Sequence, residues 1–308
     1  MAARIPPRVK TEADVTAQTL RHYHARLQRV LAYIDEHLDE DLSVETLSGI
    51  AAFSRFHFHR QFTALFGINV ARYVQLARLK RASYRLAFRD NDPIIEIALE
   101  SGYEGPEAFA RAFRQRFGQS PSDFRSDPQW ASWHATYQAL SETRTAHMKK
   151  DWKHDDVKIV DFKETRIAVM EHRGDPATIW DTVRGFIAWR KETGIVPKNS
   201  ATFQLLYDDP ATTPPADFRC DLCAATEREV MPNNAGIVVK RIPGGRCAVL
   251  RHVGSDDAFG DAAMFLYRDW LPKSGEEVRE FPLYCQRLKF FPDVPENEAV
   301  TDLFLPLK

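Results

Sequence analysis

The sequence predicts a chain of two domains: an all-α domain built of two helix–turn–helix units, then an α+β domain of two pseudo-symmetric strand–strand–helix–strand–strand units. Three observations predict this. The chain has 308 residues, against roughly 100–200 per domain. The amino-terminal half repeats itself at an offset of 51 residues, and the carboxy-terminal half at an offset of 80. Composition sets the background, with 44% hydrophobic and 28% charged residues, which excludes fibrous and disordered classes. No apolar run approaches the ~18 residues of a membrane span, and the first twenty residues carry no apolar signal core. Four cysteines do not make a disulfide scaffold, so the expected compartment is the cytoplasm. Residues 1–126 hold 18 Lys and Arg against 15 Asp and Glu, a net +3, which leaves −4 for the remainder. That asymmetry excludes no class of partner.

The first repeat superposes Phe58 on Phe109, Arg60 on Arg111, Phe62 on Phe113, Phe66 on Phe117 and Gly67 on Gly118. Upstream the offset falls to 50, pairing Leu47 with Ile97, Ala52 with Gly102 and Phe53 with Tyr103. The second turn therefore carries one extra residue. Each unit reads as a short helix, a tight turn and a longer helix that stops at Gly. Ser43 and Ser54 are placed to cap the two helices of the first unit. Phe58, Phe62 and Phe66 fall on one helical face, as do Phe109, Phe113 and Phe117, and packing accounts for both stripes.

Function then lies on the other face. There the first unit presents Arg55, Phe56, His57, His59 and Arg60, and the second presents Glu107, Arg111, Arg114 and Gln115. Residues of these types at the start of a second helix read base edges when that helix enters a major groove. Between the units, Val70 to Phe88 contains neither Pro nor Gly and predicts one helix about 28 Å long. Successive major-groove faces on one side of a duplex lie about 34 Å apart, so such a rod can hold two reading heads in adjacent grooves. Arg72, Arg78, Lys80, Arg81, Arg85 and Arg89 on or beside it are expected to meet phosphates, and Asp92-Pro93 restarts the chain for the second unit.

These residues resemble the AraC/XylS-type DNA-binding domain. The resemblance covers residues 27–126 and rests above all on Gly102-Tyr-Glu-Gly-Pro-Glu-Ala-Phe-Ala-Arg-Ala-Phe-Arg-Gln-Arg-Phe-Gly118. It implies DNA contacts at Phe56, His59 and Arg60 in the first unit and at Glu107 and Arg111 in the second. Gly105-Pro106 departs from the polar pair common in the family. With Arg55, Gln115 and Arg85, these form the expected DNA-binding set within a domain of residues 20–127.

Residues 128–154 read as a polar linker with scattered aromatics, Trp130, Trp133, Tyr137 and Trp152. Beyond it lies the second repeat, Arg166-Ile-Ala-Val-Met-Glu-His-Arg-Gly174 against Arg246-Cys-Ala-Val-Leu-Arg-His-Val-Gly254. Strands are expected at 157–162, 165–173, 202–207 and 218–226, and again at 237–242, 246–253, 282–291 and 300–305. Helices are expected at 176–192 and 257–270. A groove between the two halves is the natural small-molecule site. Cys220 and Cys223 have CxxC spacing, but residues i and i+3 of a strand point to opposite faces and cannot share a metal. His172 and His252 are repeat mates with structural roles. Neither metal, cofactor nor catalytic residue is expected, and no phosphate loop, nucleophile elbow or HExxH occurs.

Residues 155–308 resemble the GyrI-like effector-binding domain, most tellingly in the closing segment that starts Phe281-Pro-Leu-Tyr-Cys-Gln-Arg287. The resemblance implies a bound small organic molecule. Several members carry a buried Glu where this chain has Cys285, which argues against a cationic ligand, since a buried cation needs a charged or π partner. A mostly apolar ligand, neutral or weakly cationic, is expected on Tyr207, Tyr267, Trp270, Tyr284 and Cys285. Glu296 and Glu298 fall in the loop that follows. The sequence thus reads as a transcription regulator with double-stranded DNA and a small-molecule effector as partners, RNA polymerase being left open as a third. The rival readings make the carboxy-terminal domain a hydrolase of reactive metabolites or a protein-binding module.

Overall fold

The computed structural model describes residues 12–147 and 150–308. The first eleven residues, over which no signal core was expected, lie outside them. Eight helices come first: α1 (Glu12–Glu36), α2 (Val44–Ala51), α3 (Arg55–Phe66), α4 (Val70–Phe88), α5 (Ile94–Glu100), α6 (Pro106–Phe117), α7 (Pro121–Ser126) and α8 (Trp130–His147). Ser43 and Ser54 accept from the backbone N–H of Thr46 and His57, which satisfies donors that each helix start leaves open. Gly67 and Gly118 end α3 and α6 in the left-handed conformation. The phenylalanine stripes Phe58, Phe62, Phe66 and Phe109, Phe113, Phe117 are buried in one core with Tyr73, Leu76 and Leu79 of α4.

The turns between α2 and α3 and between α5 and α6 share one backbone feature. Ala52 and Gly102, paired in the repeat, both have positive φ, +51° and +77°. Only the second position demands glycine on packing grounds as well. A Cβ on Gly102 would stand 2.4 Å from an Arg78 guanidinium nitrogen, and that guanidinium is held by the carbonyls of Leu38 and Glu40 at 2.7 Å.

The segment expected as a polar linker, residues 128–154, contains α8. Trp130, Trp133, Tyr137 and Leu140 of α8 are buried in the amino-terminal core. Their spacing of three, four and three residues is that of one helical face, and burial of four large side chains holds α8 there.

The carboxy-terminal half forms β1 (Val157–Phe162), β2 (Thr165–Arg173), α9 (Ile179–Thr193), β3 (Thr202–Leu206), β4 (Arg219–Ala225), β5 (Val238–Ile242), β6 (Gly245–Val253), α10 (Phe259–Phe265), α11 (Leu271–Ser274), β7 (Leu283–Lys289) and β8 (Val300–Pro306). Its strands make one antiparallel sheet in the order β1-β6-β8-β7-β3-β4-β2-β5. The two lobes join at β3 and β7, where Gln204 lies opposite Cys285. Alternation sorts the side chains. Ala168, Leu222 and Ala224 pack under Phe186 and Trp189 of α9, and Ala248, Leu250, Leu303 and Leu305 pack under Ala262, Leu266 and Trp270. The other face carries Ile167, Val169, Phe203, Tyr284 and Phe304. It curls so far that Phe162 of the edge strand β1 reaches Phe203, Tyr284 and Phe304 at ring distances of 5.3–6.0 Å.

Candidate functional site

The expected DNA-reading residues lie together on the outer faces of α3 and α6. Arg55, Phe56, His57, His59 and Arg60 are exposed, as are Glu107, Arg111, Arg114 and Gln115. Phe56 is 77% exposed, which is costly for a large apolar ring in water and apt for contact with a thymine methyl. Arg55, Arg60, Arg111 and Arg114 make no ion pair among the described residues, so their charge is available to an outside partner.

Arg85 is a correction to the expected set. Its Nε donates to Asp92 at 2.6 Å, and it also pairs with Glu100. With 15% of its side chain exposed and two carboxylates on it, it is neutralised inside the fold rather than offered to phosphate. The same holds along much of α4. Lys80 is buried against Asp257 and Glu296, Arg89 pairs with Asp293, and Arg81 lies 3.9 Å from Asp39 while donating to the Glu100 carbonyl.

The expected ligand residues are not brought together. Tyr284 and Cys285 are neighbours on β7 and therefore face opposite sides of the sheet. Tyr284 is fully buried in the curled face, stacked on Phe304 at 4.9 Å, whereas Cys285 lies on the opposite face, in the cluster with Trp270 from the helical stretch after α10. Tyr207 donates to the buried Asp221 at 2.9 Å, and Tyr267 is 41% exposed on the helix. What does converge between the lobes is a polar centre that the sequence reading missed. Arg287 donates to Asp256 at 2.6 Å and to Gln204 Oε1 at 3.0 Å, beside Cys285 Sγ at 3.6 Å from the same oxygen. The sequence signal for it was parity: Cys285 and Arg287 alternate onto one face.

The remaining candidates are structural. Cys220 and Cys223 are buried free thiols on opposite faces of β4, and burial raises both, Cys220 to about 12. His172 is held by Thr182 at 2.8 Å and by the Asp175 carbonyl at 3.2 Å. Its mate His252 contacts the Ser255 carbonyl at 2.9 Å.

Two family models match this chain. A GyrI-like small molecule binding domain matches residues 155–308, and a helix-turn-helix domain matches residues 47–127. The "Probable transcriptional regulator YgiV" of Escherichia coli K12 is 40% identical over 49% of this chain and 96% of its own length. The "Regulatory protein SoxS" of the same organism is 31% identical over 32% of this chain and 92% of its own length. Among solved structures, the EcmrR C-terminal domain is 14% identical over 49% of this chain and 96% of its own, with a TM-score of 0.41.

Proposed function

This chain belongs to the GyrI-like family and joins that domain to an AraC-type helix–turn–helix domain, and from this premise we propose that it regulates transcription by binding duplex DNA through α3 and α6 of a single monomer. The observation that carries the reading is the arrangement of two exposed, unpaired recognition faces at either end of the 19-residue rod α4. A rod of ~28 Å suits heads in grooves ~34 Å apart, since each head adds its own reach. The supporting residues are Arg55, Phe56, His59 and Arg60 in one half-site and Glu107, Arg111 and Gln115 in the other. Footprinting and binding stoichiometry test it: one chain should protect roughly 20 base pairs at ~10 per turn. Two chains required for that length would contradict it.

The carboxy-terminal domain is read as a sensor rather than an enzyme. Cys285 is neutral at physiological pH, because burial pushes its thiol up to about 11, and a protonated thiol is a poor nucleophile. With Asp256 already taken by Arg287, the centre between the lobes has no spare carboxylate among the described residues for an organic cation. The effector is therefore neutral, since the Arg287 charge is already matched by Asp256. It acts on DNA binding only as far as its affinity differs between two arrangements of the chain. Titration calorimetry with matched cationic, neutral and anionic aromatic compounds should rank the neutral one first.

A further inference from the structure

The two halves of the chain meet on two unlike patches. One is aromatic, where Tyr84 and Phe88 of α4 pack on Trp180 of α9, and Tyr84 on Phe291, at ring distances of 4.9–5.7 Å. The other is ionic and buried. Lys80 of α4 donates to Glu296 at 2.7 Å and to Asp257 at 3.2 Å, and Arg144 of α8 pairs with both Glu296 and Asp35 of α1. Ser141 donates to Asp257 at 2.9 Å, and the Ser255 hydroxyl lies 2.6 Å from Glu296. The five charged side chains are 2–17% exposed.

We infer that this cluster is a protonation-gated latch, which holds the turn Ser255–Asp257 and Glu296 of the carboxy-terminal domain onto α4 and α8 of the amino-terminal one. Ions are a poor choice for mere adhesion, because desolvating each costs several kcal/mol that only good geometry offsets. They are a good choice for an interface that must open, since water entering the seam rehydrates every member. The turn is also placed to transmit. Asp257 faces Lys80, while its neighbour Asp256 takes Arg287 in the centre between the lobes.

The charge count supplies the gate. Two cations face three carboxylates, so one carboxylate is in excess. That one is Asp35. Burial drives its carboxyl up to about 7 against the pull of Arg144, and Glu296 adds to the rise. Burial also acts to raise Asp257 and Glu296, but Lys80 and Arg144 outweigh it and hold both below the usual range. The other groups facing Asp35 are Tyr73 and Lys80 of α4 and Asp257 of the turn. On α1 itself, Glu36 accepts from Asn297 at 2.7 Å. His252 backs the turn, and burial lowers its imidazole below the ordinary range.

The direction of the pH effect follows. Opening hydrates Asp35 and takes Glu296 away, so its carboxyl falls toward the ordinary ~3.9 and releases a proton. Closure is thus fully favoured by this group at low pH and loses that contribution as pH rises to about 7. Asp257 and Glu296 act oppositely, but only below about 4, where ordinary carboxylates protonate.

The test is hydrogen exchange of the full chain between pH 5 and 8, corrected for intrinsic rates and read at residues 255–258 and 80–88. Opening should rise with pH by up to about tenfold per unit below 7 and level off above it. Asp35→Asn keeps an oxygen for Arg144 and should abolish the slope. Glu296→Gln removes a charge that helps to raise Asp35 and should move the slope to lower pH. A flat profile in the unaltered chain overturns the proposal without any variant, and so does a slope that survives in Asp35→Asn, which would assign the proton to another group.

Discussion

The amino-terminal domain carries its positive charge on two surfaces, and the contrast between them separates recognition from construction. On the outer faces of α3 and α6, Arg55, Arg60, Arg111 and Arg114 are exposed and make no ion pair with a described residue. On the inner side, Lys80, Arg85, Arg89 and Arg144 each meet one or two carboxylates. Phosphate binding gains its free energy by replacing counterions around the duplex. A guanidinium already matched by Asp or Glu must first give up that partner, so it contributes little. Charge count alone therefore misassigns residues, and the partner of each charge decides its role.

The sharpest way to break the comparison is to remove an inner charge. Arg144→Met leaves Asp35 and Glu296 buried without their shared cation, and Arg144 is itself 2% exposed. Breaking a buried pair from one side costs about 3–5 kcal/mol. The variant should lose stability by that order in denaturant unfolding while the outer faces of α3 and α6 remain unaltered. Unchanged stability would mean that water already reaches the cluster.

How much of this was legible in the sequence follows from the range of each signal. Helix α4 was expected over Val70 to Phe88 and is found there, because its limits are set by neighbours such as the Asn69 cap. The strands lie within two residues of their expected positions, since β-branched alternation is equally local. Helix α8 was missed although Trp130, Trp133, Tyr137 and Leu140 have helical spacing, because the polar residues between them dominated. The ligand set failed on parity, as Tyr284 and Cys285 cannot face one cavity. The latch was out of reach: Lys80 and Glu296 are 216 residues apart, and nothing local to either announces the other.

A second prediction sharpens the outer half of the comparison. Arg111→Ala should weaken specific binding by about 1–3 kcal/mol and relax sequence preference in one half-site, if its guanidinium reads a base edge. Competition assays with single-base variants of a selected site measure this. Equal loss on specific and random DNA would reassign Arg111 to the phosphates, leaving its group outer but its role electrostatic.

The smallest expected effect is the most discriminating. Arg85 lies on α4 among residues that sequence alone would send to the phosphates, yet it is bound by Asp92 and Glu100. Both carboxylates are partly solvated, 30% and 50% exposed, so solvent screens the pairs and Arg85→Ala should cost stability about 1 kcal/mol or less. If Arg85 also neutralised a phosphate, its loss would weaken all sequences alike and lower the slope of log K against log salt by about 0.9. The structure requires the slope to stay as it is, because no counterion is released by a guanidinium that remains on its own carboxylates. A salt titration of DNA binding by Arg85→Ala beside the unaltered chain decides it. A reduced slope would show that DNA draws Arg85 away from Asp92, and that the inner surface of α4 turns outward when the duplex binds.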